Sequence, residues 1–483
     1  MQENRMINLV IMILSIAMAL AFYNFFMNKG NKEAKKDKSA QVETTYKLSG
    51  KGEDIKIATE KMLITLSTEG GIIKSVKLKE YKKDNSREFV ELAPDTGLMW
   101  NISNDKEIQS LLTNSLYTYK IKETEDKIDV EFALELKNGT SFQKKYSFDK
   151  KGYTFVLSQN LNGVGVSIGP EIAPQDRKSS YSFSGPIIKE DKKTIEAKLN
   201  KNNQEKFSNF KWASWQSLYF TVTVIPENQT DLEVVKIGEG KYYMNFFPKG
   251  QLKATIFIGP KDYNLLKNFN LEDNIRFGIF APISKLLISI MHFFHRMIPN
   301  WGVSIILLTI LVKIILHPLT VKGYKSMNKI KEVQPEIQRL KEIYKEDPAK
   351  LNQALMELYK KHNINPFGGC LPLLLQIPVF FALYKTIAIS IDLRHAPFIL
   401  WITDLSSKDP YYITPILVGI TMLIQQLLTS TSLQDDTQKL MTYGMPILFT
   451  AIFISLPSGL VLYFLVNNLI SILEQIAIKH VYS

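Results

Sequence analysis

A single cysteine, Cys370, serves all 483 residues, so no disulfide can form within the chain. Any extracytoplasmic domain must stand on its hydrophobic core alone. Histidine is scarce too: six in all, and none between Asn28 and Arg276. That stretch lacks the commonest general acid–base group. No GxxxxGK[ST] phosphate loop occurs, so nothing in the sequence points to nucleotide hydrolysis. Zinc-finger, helix-turn-helix and RNA-binding motifs are missing as well. The net charge of +12, from 59 Lys and Arg against 47 Asp and Glu, therefore points to loops beside anionic lipid and to no specific nucleic-acid target.

What is present divides sharply along the chain. Residues from about 28 to 276 read as a soluble domain, and those from about 277 onward as membrane-embedded. Met6 to Met27 is a first apolar run, preceded by Arg5. Ala19-Leu20-Ala21 has the form of a signal-peptide cleavage site. The run continues through Phe22, Tyr23, Phe25 and Phe26, long enough to span, and residues 1–27 are assigned as an uncleaved anchor. Residues 28–40 form a lysine-rich linker.

Over 41–276 strands are expected. Ile128, Val130, Phe132, Leu134 and Leu136 alternate with polar residues. So do Leu218, Phe220, Val222 and Val224, and again Ala254, Ile256 and Ile258. Period-two alternation punctuated by Gly, Asn and Pro predicts an antiparallel sheet with one face buried, and the length suits an all-β sandwich. Residues 277–298 carry Pro282, Lys285, His292, His295 and Arg296 in an apolar background, which predicts an amphipathic helix in the interface, with a tilted span as the alternative. The His292/His295 pair lacks a third ligand, so no metal site is expected.

The run from Trp301 to Leu319, WGVSIILLTILVKIILHPL, is long enough to cross a bilayer core yet contains Lys313. Thr309, Lys313 and His317 lie at i, i+4 and i+8 and so share one helix face. Two readings stand. Lys313 can snorkel towards headgroups past Pro318, or it faces a wet cavity inside a bundle. Residues 320–365 read as a charged helical hairpin turning at Asp347-Pro348, with Met327, Ile330, Ile337, Leu340 and Tyr344, and Leu351, Leu355 and Leu358, as its apolar seam. Its Lys and Arg content places it in the cytoplasm. Further spans are expected at about 367–391, 411–428, 440–456 and 458–478.

These segments carry a resemblance. Asn365 to Tyr384, NPFGGCLPLLLQIPVFFALY, resembles the signature of bacterial YidC members of the YidC/Oxa1/Alb3 insertase family. Trp301 to Tyr324, Val333 to Gln338, Asp409 to Tyr412 and Pro457 to Tyr463 continue the likeness in the same order. It covers about Ile279 to Lys479, and the anchor with its large β domain matches the Gram-negative-type layout. The resemblance implies an α-helical polytopic membrane protein. A five-helix insertase core plus the N-terminal anchor would carry the β sandwich in the periplasm, at the bacterial inner membrane. It implies insertion and chaperoning of nascent membrane proteins, alone or with the Sec translocon, and contact with the ribosome through the hairpin. It implies no catalysis and no cofactor.

By resemblance, Lys313 stands where the family usually carries arginine in a hydrophilic groove; lysine keeps the charge but loses the planar fork. Thr309 and Gln376 match groove-lining positions, and Tyr463 and Phe464 match the substrate-contacting side. Pro372 and Pro378 are expected to bend their span.

Two other function classes compete for these residues. A solute transporter or channel would use Thr421, Gln425, Gln426, Asn467 and Asn468, but no paired intramembrane acid is evident in the sequence. An enzyme in the β domain would need acids such as Glu69 and Glu171, whose spacing favours no catalytic pairing. The lysines at 29, 32, 35, 36 and 38 conflict locally with an outside β domain, a violation that long translocated domains tolerate.

Overall fold

A computed structural model describes residues 50–482, except 85, 137–138, 140, 178–182, 198, 200–202, 363–370 and 430–439. The expected anchor (1–27), the linker (28–40) and the signature residues Asn365 to Cys370 lie outside the described residues. The described residues fall into two compact units, one ending at Ile275 and the other beginning at Arg276.

The first unit is an all-β sandwich. Two sheets of nine strands each are built from antiparallel pairs. One sheet runs from the edge strand Asp54–Ala58 to Gln204–Phe207, and the other from Thr194–Glu196 to Thr118–Glu123. The alternation read from the sequence sets the inner faces. In Lys127–Glu135, Ile128, Val130 and Phe132 are buried while Glu131 and Glu135 are exposed. Val222, Val224, Ile256 and Ile258 are wholly buried on the neighbouring pair Phe220–Pro226 and Lys253–Pro260. Burial of such side chains contributes about 1.5–3 kcal/mol each, which is how a domain without disulfides stands.

One inward position breaks the apolar rule. Ser141–Asp149 alternates Phe142, Lys144, Tyr146 and Phe148 into the core, and Lys144 is fully buried. Its Nζ donates to Asn101 Oδ1 at 2.6 Å and lies 5.1 Å from the Tyr146 ring centroid. Gln159 Nε2 donates to the same oxygen at 3.3 Å. Asn101 Nδ2 in turn donates to Gly70 O at 2.7 Å. Burial pushes the Lys144 amine down to about 7.

The second unit is helical. Its longer helices are Ala281–Met297, Trp301–Glu332, Leu371–Ile389, Ile413–Thr429 and Ser458–Tyr482, with the shorter Met445–Phe453 between the last two. By length and composition, three stretches among the described residues are apolar enough to cross a membrane: Gly278–Met297, Trp301–Ile330 and Ser458–Ile478. Gln376–Ile389, Ile413–Leu428 and Thr442–Phe453 are shorter apolar helices. The Ala281 helix buries Ser284, Leu287, Ile288 and Met291 and exposes Leu286, Phe293 and Met297, which is an amphipathic division.

The largest departure from the sequence reading is at residue 320. The charged segment does not begin a new helix there. The Trp301 helix runs unbroken through Pro318 to Glu332. A proline inside a helix removes one backbone bond and costs about 3 kcal/mol in isolation, yet the helix continues past it. The break comes at Val333, where Pro335 opens the next helix, Gln334–Ile343. Asp347 Oδ1 accepts from Lys350 N at 3.1 Å and caps Pro348–Lys361. Val333, Ile337 and Leu358 close the seam between the two short helices, with Ile330, Leu340, Leu355 and Tyr359 packed around them.

Candidate functional site

The polar face of the Trp301 helix meets a polar face of the Ser458 helix. On the first, Thr309, Lys313 and His317 recur every fourth residue; on the second, Asn467, Ser471 and Glu474 recur at i, i+4 and i+7. Lys313 Nζ donates to Ser471 Oγ at 2.6 Å and lies 3.7 Å from Glu474 Oε2. His317 Nδ1 is 2.8 Å from Glu474 Oε1. Ser471 Oγ, which accepts the lysine's hydrogen bond, donates onward to Asn467 O at 2.9 Å.

Exposure grades along this strip. The side chains of Lys313 and Glu474 are 9% and 11% exposed, and that of His317 is 51% exposed. The strip is therefore closed at Lys313 and open at the His317 end, where the helix leaves its apolar run. Lys313 turns into the bundle, so the snorkelling reading does not describe this conformation. At about 4 Å, two opposite charges attract by roughly 4 kcal/mol at an effective dielectric of 20, before the cost of desolvating both is counted.

Glu474 is a residue that the sequence alone does not single out. It is the single acidic residue between Ser458 and Ile478, and the fold sets it against Lys313. The signal was present: one carboxylate inside an apolar span demands a partner. Its partner lies 161 positions earlier by number, on a different helix, and only packing identifies it.

The other expected positions are brought near, in different roles. Thr309 is buried and its hydroxyl donates to Ile305 O at 2.7 Å. Gln376 Nε2 donates to Asn467 Oδ1 at 2.6 Å and lies 3.5 Å from Tyr463 Oη. Gln376 therefore reaches the same face of the Ser458 helix one turn above Ser471. Tyr463 is 1% exposed, so its ring offers no free contact surface in this conformation. Phe464 is half-buried, with ring centroids 4.6 Å from Phe453 and 5.1 Å from Phe380. These aromatics pack helix against helix.

Among the residues a solute path would use, Asn468 Nδ2 donates to Thr421 Oγ1 at 3.3 Å and ties two helices together. In the β unit, Glu69 accepts from Gly50 N at 3.1 Å and Glu171 lies 3.8 Å from Lys241 Nζ, contacts that hold local structure. His292 Nε2 lies 3.3 Å from Asp392, an acid the sequence reading did not connect with it. His295 instead stacks flat on Trp301 at 4.0 Å.

Comparison with known proteins agrees over nearly the whole chain. The family model described as 60Kd inner membrane protein matches residues 293–483. The model described as YidC periplasmic domain matches residues 54–290. The membrane protein insertase YidC of Geotalea daltonii is 36% identical over 454 residues, covering 87% of this chain and 86% of that protein. The Methylobacillus flagellatus insertase is 36% identical over 487 residues, 92% of this chain and 87% of that one. A solved structure of an active YidC insertase with its first transmembrane domain resolved covers 98% of this chain and 99% of its own, at 19% identity and a TM-score of 0.41. With relatives this similar over this much of both chains, the protein belongs to the YidC family of membrane protein insertases.

Proposed function

We propose that the helical unit inserts nascent membrane proteins along the polar strip between the Trp301 and Ser458 helices, with Lys313 as the charge that draws acidic residues of the incoming tail. One observation carries this reading: a buried ammonium, inside a helix apolar enough to span, is turned towards a polar face of a second such helix. Such a residue is costly in hydrocarbon and is kept where it has work to do. The barrier to insertion is the passage of polar tails and backbone through lipid, where each unsatisfied group costs several kcal/mol. A hydrated groove reaching part-way across shortens that path. Gln376 and Ser471 would offer neutral hydrogen-bond partners along it, and Thr309 would border its closed end.

The same reading gives the surroundings. The protein is an inner-membrane protein, and its anchor would place the β sandwich in the periplasm and the Gln334–Lys361 hairpin in the cytoplasm. The Ala281 helix would lie in the interface with Leu286, Phe293 and Met297 in lipid. Exposed Lys322, Lys325 and Lys329 at the end of the Trp301 helix suit anionic headgroups. The partners would be nascent membrane proteins, the Sec translocon, and the ribosome at the hairpin. Tyr463 and Phe464 would meet a client only after the Ser458 helix moves away from Phe380 and Phe453.

Topology is tested first. Cys370 is replaced by serine, single cysteines are placed at Ser39 and Lys350, and intact cells are treated with a membrane-impermeant thiol reagent. Labelling at 39 and protection at 350 is expected. Protection at both would put the β sandwich inside and overturn the assignment. Insertion is tested with the purified chain in proteoliposomes, scored by protease protection of a client bearing an acidic translocated tail.

A further inference from the structure

Lys313 is not a free charge. Its two polar neighbours on the Ser458 helix are unequal. Ser471 Oγ accepts a full hydrogen bond at 2.6 Å. Glu474 Oε2 stands at 3.7 Å, close enough for charge attraction and too far for a hydrogen bond. Glu474 Oε2 is buried, and no described residue donates to it. The other oxygen, Oε1, is held by His317 at 2.8 Å. The carboxylate is thus anchored from the open side of the strip and aimed at the ammonium without closing on it.

We infer that Glu474 is a resident counter-ion, occupying the place beside Lys313 that a client's carboxylate takes, and that it sets how strongly client acidity counts in insertion. This rests on the groove reading above. With Lys313 charged and Glu474 ionised, the strip offers an incoming tail no net attraction from this pair. A client's Asp or Glu must compete with Glu474 for the ammonium. It can succeed because the resident contact lacks a hydrogen bond, and charge-assisted hydrogen bonds are the strong ones. Once displaced, Glu474 keeps His317 and is not stranded. A neutral tail displaces nothing and leaves Glu474 beside Lys313. Glu474 would therefore moderate the preference for acidic tails and let one charge release its client, since the carboxylate returns as the tail moves on.

The experiment compares two clients that differ only by Asp or Asn in the translocated tail, inserted by the full-length protein in proteoliposomes. The readout is the ratio of their initial insertion rates. Glu474→Gln, which keeps the shape, is expected to raise that ratio roughly tenfold or more, the scale of a coupled close charge pair. Glu474→Asp keeps the charge and is expected to stay near the parent ratio. His317→Ala frees Oε1 to close on Lys313 and is expected to lower the ratio, an opposite sign that serves even if the Gln variant folds poorly. Lys313→Met is expected to bring the ratio to one.

An unchanged or lower ratio in Glu474→Gln, with Lys313→Met flattening it, would overturn the counter-ion role and leave the groove reading intact. Equal change in the Gln and Asp variants would mark a packing role and also overturn it. A ratio that Lys313→Met leaves unchanged would remove the groove reading and this inference together.

Discussion

Lys313 and Ser471 are joined at 2.6 Å across two helices apolar enough to span a membrane, and the lysine side chain is 9% exposed. An ammonium held this way is oriented by its acceptor, so replacing it tests position as well as charge.

For Lys313 the expected order of insertion with an acidic-tailed client is Lys and Arg, then Ala, then Glu. Arginine keeps the charge, though its planar fork matches the Ser471 hydroxyl less well. Alanine leaves Glu474 buried with His317 alone and slows insertion roughly tenfold or more. Glutamate sets two carboxylates together and abolishes it. Protease-protected client in proteoliposomes measures this, and equal rates for all four residues would sink the electrostatic mechanism.

Gln376 and Asn467 share an amide–amide bond at 2.6 Å. Gln376→Leu is expected to lower the stability of the helical unit by about 0.6–2 kcal/mol, the range for interhelical hydrogen bonds in membranes. Tyr463→Phe, which loses only the contact at 3.5 Å, is expected to cost less. Thermal unfolding in detergent compares the two; a larger loss from Tyr463→Phe would assign the bond wrongly.

Lys144 makes the β sandwich sensitive to pH. Its amine is held at about 7, against an ordinary 10.5. Between those values the unfolded chain binds a proton that the folded one does not, so this residue makes stability rise with pH across that window. Below about 7 the buried charge is present and its full cost is felt. Lys144→Met is expected to remove the slope and to gain most at the acid end. Tryptophan-fluorescence melts of the full chain at the two ends of the window check the sign; parallel curves for parent and variant would refute it.

Gly165 lies where its strand crosses Phe246 closely. A Cβ there would stand 1.7 Å from Phe246 O, a backbone atom that cannot swing away. Gly165→Ala is expected to cost about 1–3 kcal/mol or more by forcing the strands Gly165–Ile168 and Lys241–Pro248 apart. Gly163→Ala, with φ of +74° but open space around it, should cost only its backbone strain, about 1 kcal/mol. A denaturant series on both variants separates crowding from strain.

The amino-acid sequence by itself determined the division into a β half and a helical half, because periodicity of two and long apolar runs are local properties that any packing must respect. Ile128, Val130 and Phe132 had to face one way, and Trp301 to Leu319 had to be a helix in lipid or in a core. The family motifs likewise stand in the chain as written. The end of the Trp301 helix was not legible, since Pro318 looks locally like a stop and the helix nevertheless runs on to Glu332. Lys144 is hidden in the same way: an alternating strand tolerates a lysine pointing inward only when Asn101, from the opposite sheet, is there to receive it. The pairing of Lys313 with Ser471 and Glu474 was decided by tertiary structure alone. A buried charge must find a partner, but which one depends on the rotation of one helix against another, and no local rule encodes that angle.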